Sequence, residues 1–469
     1  MKIMHVSLGL PPLRTGGLTK YSVDLMLTQR QLLHDVSLIY PGHYTLSGGL
    51  NIKQIETYQG IEVYEIINPL PVSLLGGIKQ PQVFMKQVNK QRYFEFLQMI
   101  KPDVIHLHTL MGIHKEFLEV AKDLGIQMVF TSHDYFGICP MVNLLNTDKT
   151  ICEDFNQGKG CISCNQSGYS LGMIYVMQSQ IYRHMKNSRL VKNFRIMMKQ
   201  RMDPNAKSNM THLESSSDND LLALQYSVLR DYYMEMFALI NKFHFNSSTA
   251  QRIYSKYGLN KGDVISISHS GIRDRRSTRS PQLEGTPLRI SYLGPIDVYK
   301  GFYLLKQSLD LLKEQSSLRW QLHVYGDDTI PTEDYYGDEY TFHGRYHYED
   351  LPNIFDQTDV LIVPSIWQET FGFVGMEALS YGVPMLISDH VGFKDMISDG
   401  ATGLLFKAEV HSLVEKLQYT LENRKILNEI NKNIVDMKID FSMQQHVQEI
   451  IQWYPKLKVG ATTSVQTKY

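Results

Sequence analysis

Short apolar runs and broken helical periods alternate through the first 135 residues. Ile3 to Leu8 is an apolar strand, followed by a Pro/Gly loop from Pro11 to Gly17. Tyr21, Val23, Leu25, Met26 and Leu33 then carry an interrupted helical period. Val36 to Tyr40, Glu62 to Ile67, Asp103 to His108 and Met128 to Thr131 read as further strands, the last two preceded by helical stretches. A second series begins near residue 288. Leu288–Leu293, Leu322–Tyr325, Val360–Val363 and Pro384–Ser388 are strand-like, and Gly301–Leu312 and Phe373–Tyr381 are helical. Strand and helix in alternation predict parallel sheets with crossover helices.

The pattern divides the chain into two doubly wound α/β halves, with no short-period repeat. The expected boundaries are a first domain over 1–270 carrying an insertion at about 139–236, a linker over 271–287, and a second domain over 288–440. A helix over 441–456 is expected to pack back on the first domain, ahead of a frayed tail over 457–469. Within the insertion, Arg183, Lys186, Arg189, Lys192, Arg195, Lys199 and Arg201 are uncompensated by any acid between Asn165 and Met202. Residues 203–220 are rich in Ser, Asn and Asp and read as a mobile loop.

Composition narrows the class. The chain has 469 residues, room for two or three domains, and 43% apolar with 20% charged residues excludes wholesale disorder. Lys+Arg 47 against Asp+Glu 48 leaves a formal charge of −1, so a surface-wide basic field for nucleic acid is absent. No run approaches the roughly 18 to 20 apolar residues of a membrane span. The opening residues read as a strand rather than a signal peptide, and a cytoplasmic protein is expected. The basic run makes peripheral contact with the anionic inner leaflet a second expectation, although its spacing winds the charge around a helix.

Chemistry concentrates at strand-to-helix turns of the second half. Glu369 follows Val360–Val363 and Pro364-Ser365, and Phe371, Gly372 and Phe373 open a helix that carries Glu377 one turn further on. Loops at the carboxyl ends of parallel strands bind ligands in open α/β sheets. Free amides at a helix start suit phosphate, and a carboxylate accepts two hydrogen bonds from a vicinal diol. Glycines 372 and 375 are expected to let a ligand approach the backbone. Lys300, in Gly294-Pro295-Ile296-Asp297-Val298-Tyr299-Lys300-Gly301, offers a point charge to phosphate at a second such turn. His106 and His108 share a strand face and read as satisfied histidines near a strand end, ahead of part of the cleft floor or a metal pair. His133 stands beside Asp134 at a strand end.

The four cysteines are Cys139, Cys152, Cys161 and Cys164, spaced C-x12-C-x8-C-x2-C. The last pair forms a knuckle, and four thiolates in a reducing compartment predict one structural metal site, zinc above all.

These motifs resemble the retaining glycosyltransferases of family 4, which have the GT-B architecture of two Rossmann-like domains facing a central cleft. The resemblance rests on Gly294…Lys300-Gly301, Pro364-Ser365, Glu369-x7-Glu377, Gly382-Val383-Pro384 and Gly400-x2-Gly403-Leu404-Leu405-Phe406. In the first half it rests on Gly16-Gly17, Pro102 to His108, Thr131-Ser132-His133-Asp134, Asn246-Ser247-Ser248 and Ser270-Gly271-Ile272. It covers about 1–140 and 237–410. It implies a bacterial polysaccharide-type enzyme that moves a sugar from a nucleotide-diphosphate sugar to a sugar or lipid-linked hydroxyl, without a catalytic cofactor.

By position, the resemblance assigns Lys300 to the diphosphate, Glu377 to the ribose and Glu369 to a hydroxyl of the transferred sugar. Amides of Phe371 to Phe373 complete the phosphate site, and Gly344 and Arg345 lie in the base-binding loop. His133 approaches the donor sugar, and Gly16 and Gly17 shape the acceptor side. Two departures stand out: Pro295 replaces the family's usual arginine, and Gly326-Asp327-Asp328 replaces its Gly-x-Gly. A nucleotide-sugar epimerase of the same fold and a non-catalytic nucleotide-sugar-binding subunit are the competing expectations.

Overall fold

The computed structural model describes residues 1–45, 48–73, 77–185, 216–279, 285–326 and 337–455. The first sheet is built from β1 (Lys2–Val6), β2 (Asp35–Pro41), β3 (Asn51–Gln54), β4 (Glu62–Ile67), β5 (Val104–Leu107), β6 (Gln127–Thr131), β7 (Lys242–Phe245) and β8 (Gly262–Val264). Its order is β3-β4-β2-β1-β5-β6-β7-β8. All neighbours are parallel except the β3–β4 pair. The second sheet holds β9 (Leu288–Leu293), β10 (Trp320–Tyr325), β11 (Tyr340–Phe342), β12 (Val360–Val363), β13 (Met385–Ser388) and β14 (Leu404–Phe406). It is parallel throughout, in the order β11-β10-β9-β12-β13-β14.

Strand order reverses on either side of β1 and of β9. Those are the switch points at which a crevice opens beyond the carboxyl ends of the strands. The loop after β1 leads through Gly16 into the helix Gly17–Gln31, and the loop after β9 leads through Lys300 into the helix Phe302–Gln315. Near-continuous apolar strands such as Val360-Leu361-Ile362-Val363 are fully buried, as both faces of a covered parallel sheet require.

The predicted strands stand in place, several with their ends unchanged. The sequence reading missed β3, β7, β8, β11 and β14, short strands with little alternation, all but β7 at sheet edges. Residues 203–220 were expected as a loop, yet Ser216–Ala238 is one long helix. Asp218 in its first turn complements the helix dipole, and the same Ser/Asp character that suggests a loop also suits a helix start. Residues 203–215 lie outside the described residues, as do the basic residues from Lys186 to Arg201. Arg183 is described, and it pairs with Glu65 at 2.7 Å.

Two segments tie the halves together. In the linker, the Arg275 amide donates to the Ser380 carbonyl at 2.8 Å, and Arg276 donates to the Ile434 and Met437 carbonyls. The helix Met443–Trp453 crosses back to the first half, where the Tyr21 hydroxyl meets His446 Nε2 at 2.8 Å. Among the described residues, no helix is long and apolar enough to cross a membrane.

Candidate functional site

Two glycines shape the turn that presents Lys300 and Glu369. Gly301 has φ +77°, and a Cβ there would sit 1.7 Å from the Pro364 carbonyl oxygen. The β9 loop therefore lies directly on the end of β12, a contact only glycine allows. It brings Lys300 Nζ to 2.6 Å from Glu369 Oε1, while the Ser365 hydroxyl donates to Glu369 Oε2 at 2.7 Å. Lys300 also lies 5.4 Å from the centre of the Trp367 ring.

Gly372, with φ +98°, caps the helix Phe373–Ser380. Its first amides have no partner within the helix. The expectation that Gly372 and Gly375 admit a ligand is not met. A Cβ on Gly372 would meet Val391 at 2.7 Å, and one on Gly375 would meet the Phe393 ring at 2.2 Å. Both glycines instead allow the 391–393 segment to pack tightly against the helix start.

Glu377 is 4% exposed, and its Oε2 has no hydrogen-bond partner. Its Oε1 lies 3.5 Å from Nε2 of the fully buried His269, which is also unpaired. His269 Nδ1 accepts from the Gly271 amide at 3.1 Å. A neutral ring therefore carries its proton on Nε2, facing the carboxylate. An unpaired buried carboxylate oxygen is costly, and a vicinal diol would satisfy it. Tyr346 and Tyr348 close on the same carboxylate: after burial, its charge raises the pKa of both phenols, and a hydrogen bond from Tyr348 to the carboxylate raises that of Tyr348 further. They follow directly on Gly344 and Arg345, so the expected base loop borders the Glu377 pocket. Arg345 itself is exposed.

The first half supplies the opposite wall. The Thr370 hydroxyl donates to the His133 carbonyl at 2.9 Å, and the Tyr135 hydroxyl to the Gln368 carbonyl at 2.7 Å. Ser247 Oγ donates to the Thr370 carbonyl at 2.6 Å. A Cβ on Gly17 would lie 3.4 Å from the Phe373 ring, whereas Gly16, with φ +110°, faces open space. Burial holds the His133 imidazole down to about 3 and pushes the Asp134 carboxyl up to about 6. Neither Arg14 nor Arg273 is seen to reach the turn at Pro295 that lacks the usual arginine. Arg14 lies near Arg183 in the first half and Arg273 is exposed. Asp327 and Asp328 lie outside the described residues.

The structure thus gathers Lys300, Glu369, Phe371, Gly372, Phe373 and Glu377 at one set of strand ends, with His133, Gly16 and Gly17 across from them. The cysteines stand apart from this group. Cys139 and Cys161 are buried, and all four thiols are free. The Leu144 and Met141 amides hydrogen-bond the Cys139 sulfur, and the Thr147 amide that of Cys164. Cys161 feels the charge of the other three, although burial is the main reason its thiol is pushed up to about 12. Among the described residues, ligand atoms of three or more candidate metal-binding side chains close to within 4.8 Å only at His5, His106 and His108. Sequence reasoning missed His269, Ser365 and Trp367 as site residues. Ser365 sits four positions before Glu369, a spacing that could have flagged it; His269 carries no such signal.

Two Rossmann-like domains that face each other across the carboxyl ends of their strands define the GT-B fold. HepE of Anabaena, in a crystal structure with UDP, has that arrangement and superposes with a TM-score of 0.55 at 14% identity, over 96% of this chain and 99% of that one. Residues 274–437 match the family model described as Glycosyl transferases group 1. A Klebsiella pneumoniae protein described as an uncharacterized 41.2 kDa protein in the cps region is 30% identical over 129 residues, 27% of this chain and 35% of that protein. A sulfoquinovosyl transferase of Arabidopsis thaliana is 32% identical over 165 residues, 34% of this chain and 31% of that protein. The matches span about a third of the length of these relatives.

Proposed function

We propose that the protein is a retaining glycosyltransferase of the family 4 type, moving a sugar from a nucleoside-diphosphate donor to a sugar or lipid-linked hydroxyl in cell-surface polysaccharide or glycolipid synthesis. The observation that carries the reading is the buried Oε2 of Glu377, without a hydrogen-bond partner among the described residues, together with the Lys300–Glu369 pair at the ends of neighbouring strands β9 and β12. A ribose diol would satisfy that carboxylate oxygen, and the lysine is a cation suited to diphosphate.

Lys300 would leave Glu369 in part to neutralise charge as it builds on the departing diphosphate, aided by the amides at the start of Phe373–Ser380. Glu369, released from that pairing and still held by Ser365, would accept a hydroxyl of the transferred sugar. Glu369 and Glu377 would not serve as a hydrolytic acid and base, because such carboxylates flank a scissile bond and this reading assigns Glu377 to the nucleoside. His133 would face the donor sugar from the first half. The four cysteines belong to the same proposal as a structural zinc staple of the insertion, outside the chemistry.

The test is a panel of nucleotide sugars, uridine derivatives first, with and without acceptors. Release of nucleoside diphosphate, raised by an acceptor whose product keeps the anomeric configuration, is the expected result. Interconversion of the donor without release identifies an epimerase. Tight nucleotide binding with no turnover on any acceptor identifies a binding subunit, and either outcome overturns the proposal.

A further inference from the structure

Beneath His133, buried side chains form an unbroken hydrogen-bond chain across the first sheet. His133 Nε2 meets His108 Nδ1 at 3.2 Å, and His108 Nε2 meets His5 Nδ1 at 3.0 Å. His5 Nε2 meets Gln29 Oε1 at 2.7 Å, and Gln29 Nε2 donates to the Tyr454 hydroxyl at 3.0 Å. The chain continues from Tyr454 to His106 Nδ1 at 2.8 Å, from His106 Nε2 to Thr131 Oγ1 at 2.6 Å, and from Thr131 to His244 Nδ1 at 2.9 Å. It ends where His244 Nε2 meets the Ile265 carbonyl at 2.7 Å. Strand register sets it up: His5 is the partner of His106, and Thr131 of His244.

We infer that this chain locks His133 in the Nε2–H tautomer, so that it presents a bare Nδ1 lone pair to the cleft and reads a hydroxyl of the donor sugar. The inference rests on the proposed placement of that sugar beside His133. The direction of every bond follows from one end. A carbonyl oxygen only accepts, so His244 carries its proton on Nε2 and its Nδ1 must accept from Thr131. Thr131 then accepts from His106 Nε2–H, which leaves His106 Nδ1 to accept from Tyr454. The Tyr454 oxygen must therefore accept from the Gln29 amide nitrogen, and this fixes the amide so that Oε1 accepts from His5 Nε2–H. His5 Nδ1 accepts from His108, and His108 Nδ1 accepts from His133 Nε2–H.

The argument requires neutral rings, and burial supplies them. It lowers His5 and His244 to about 4 and His133 to about 3, and it holds His106 and His108 well below the ordinary value. Although His5, His106 and His108 bring ligand atoms within 4.8 Å of one another, each of their ring nitrogens is already hydrogen-bonded. A metal there would have to break the chain. Wiring, rather than ligation, is what the geometry supports. His108, His5, Gln29, Tyr454, His106, Thr131 and His244 are then positioning residues. Among the described residues His133 Nδ1 has no partner. As an acceptor it favours a hydroxyl and disfavours a carboxylate at the facing sugar position.

The test reads the tautomer directly, by nuclear magnetic resonance on protein carrying heavy-nitrogen histidine, with His133 assigned through His133→Asn. The variants are His108→Gln and His108→Leu. A glutamine can accept from His133 and donate to His5, so it preserves the direction; leucine removes the acceptor. Wild type and His108→Gln are expected to show His133 protonated on Nε2 alone. His108→Leu is expected to mix the tautomers and to lower kcat/KM for the donor about tenfold, the worth of one such hydrogen bond. A proton on Nδ1 in wild type or in His108→Gln, or an unmixed Nε2–H tautomer in a folded His108→Leu, overturns the inference. If His108→Leu does not fold, the other two spectra decide. Failure to turn over any nucleotide sugar would remove the transfer reading while leaving the tautomer assignment standing.

Discussion

At the scale of single residues, the Lys300–Glu369 pair and Glu377 make separable predictions. Lys300 is assigned to charge that develops only as the diphosphate leaves, so Lys300→Ala should lower kcat on the order of 10²-fold with a smaller change in donor KM. Glu377 is assigned to the ribose, which does not change during the reaction. Glu377→Gln should therefore act mainly on donor KM. Steady-state kinetics on the donor that the panel selects checks both; near-normal turnover in the lysine variant would remove Lys300 from the site. The Glu369-x7-Glu377 spacing and the lysine before a turn glycine were legible as chemistry, because residue type and the strand-to-helix context together restrict what they can do. His269 was not legible. Its position beside Glu377 depends on how the linker lies against the second half, and no local spacing encodes that.

At the scale of elements, the turns are held by contacts that only the folded chain reveals. Gly301→Ala must push the β9 loop off Pro364, since its Cβ would overlap that carbonyl and its φ is positive. A loss of about 2 kcal/mol or more is expected from strain and displacement. Activity should fall beyond what stability explains, because Lys300 moves with the loop. Urea titration with parallel kinetics measures this, and an alanine variant matching wild type in both would show that the loop yields freely. The cysteine-bearing insertion makes a second element-scale prediction. An isolated β-bridge between Leu145 and Ile151 joins the loop between Cys139 and Cys152, and Lys149, Thr150 and Ile151 line a cavity of about 460 Å³ with Val298, Tyr303, Ile366 and His390 of the second half. A zinc ion would draw the sulfurs together, displace their protons and fix this contact. Protein purified under reducing conditions without added metal should carry about one equivalent of zinc, and Cys161→Ser should lose it and unfold more readily. Metal-free protein with a fully stable serine variant would end the proposal. The cysteine spacing was readable in the sequence, but the open arrangement of the sulfurs was not. Buried strands such as β9 and β12 were likewise readable from their apolar runs. β3, β8 and β11 were not, because a strand of three or four residues at or near a sheet edge owes its form to its neighbour rather than to its own pattern.

At the scale of the whole molecule, the buried histidine chain sets how stability responds to acid. An ordinary histidine titrates near 6.5, so the unfolded chain takes up protons as the pH falls through that value. In the folded protein burial holds His5 and His244 down to about 4 and His133 and His446 down to about 3. Between those values the unfolded state binds more protons, and stability falls with falling pH. Each of these histidines is worth roughly 1.4 kcal/mol per pH unit in that window, or about 2 kcal/mol by pH 5. Asp134 works in the opposite sense. Its folded value is raised to about 6 by burial, so protonation relieves a penalty present at neutral pH, and it offsets part of the loss below pH 6. Four histidines against one aspartate leave a net cost comparable to the ~5–15 kcal/mol that holds a protein folded. The chain also runs through Tyr454, at the end of the helix that returns from the second half, and Tyr21 meets His446 on that same helix. Acid should therefore release the returning helix along with the first sheet. Urea midpoints are expected to be steady above pH 7 and to drop steeply between pH 6.5 and 5, with the near-ultraviolet signal of Trp453 lost in the same transition. A midpoint unchanged from pH 7 to pH 5 would mean that these histidines are protonated in the folded protein, and would break the neutral-ring premise on which the directed chain depends.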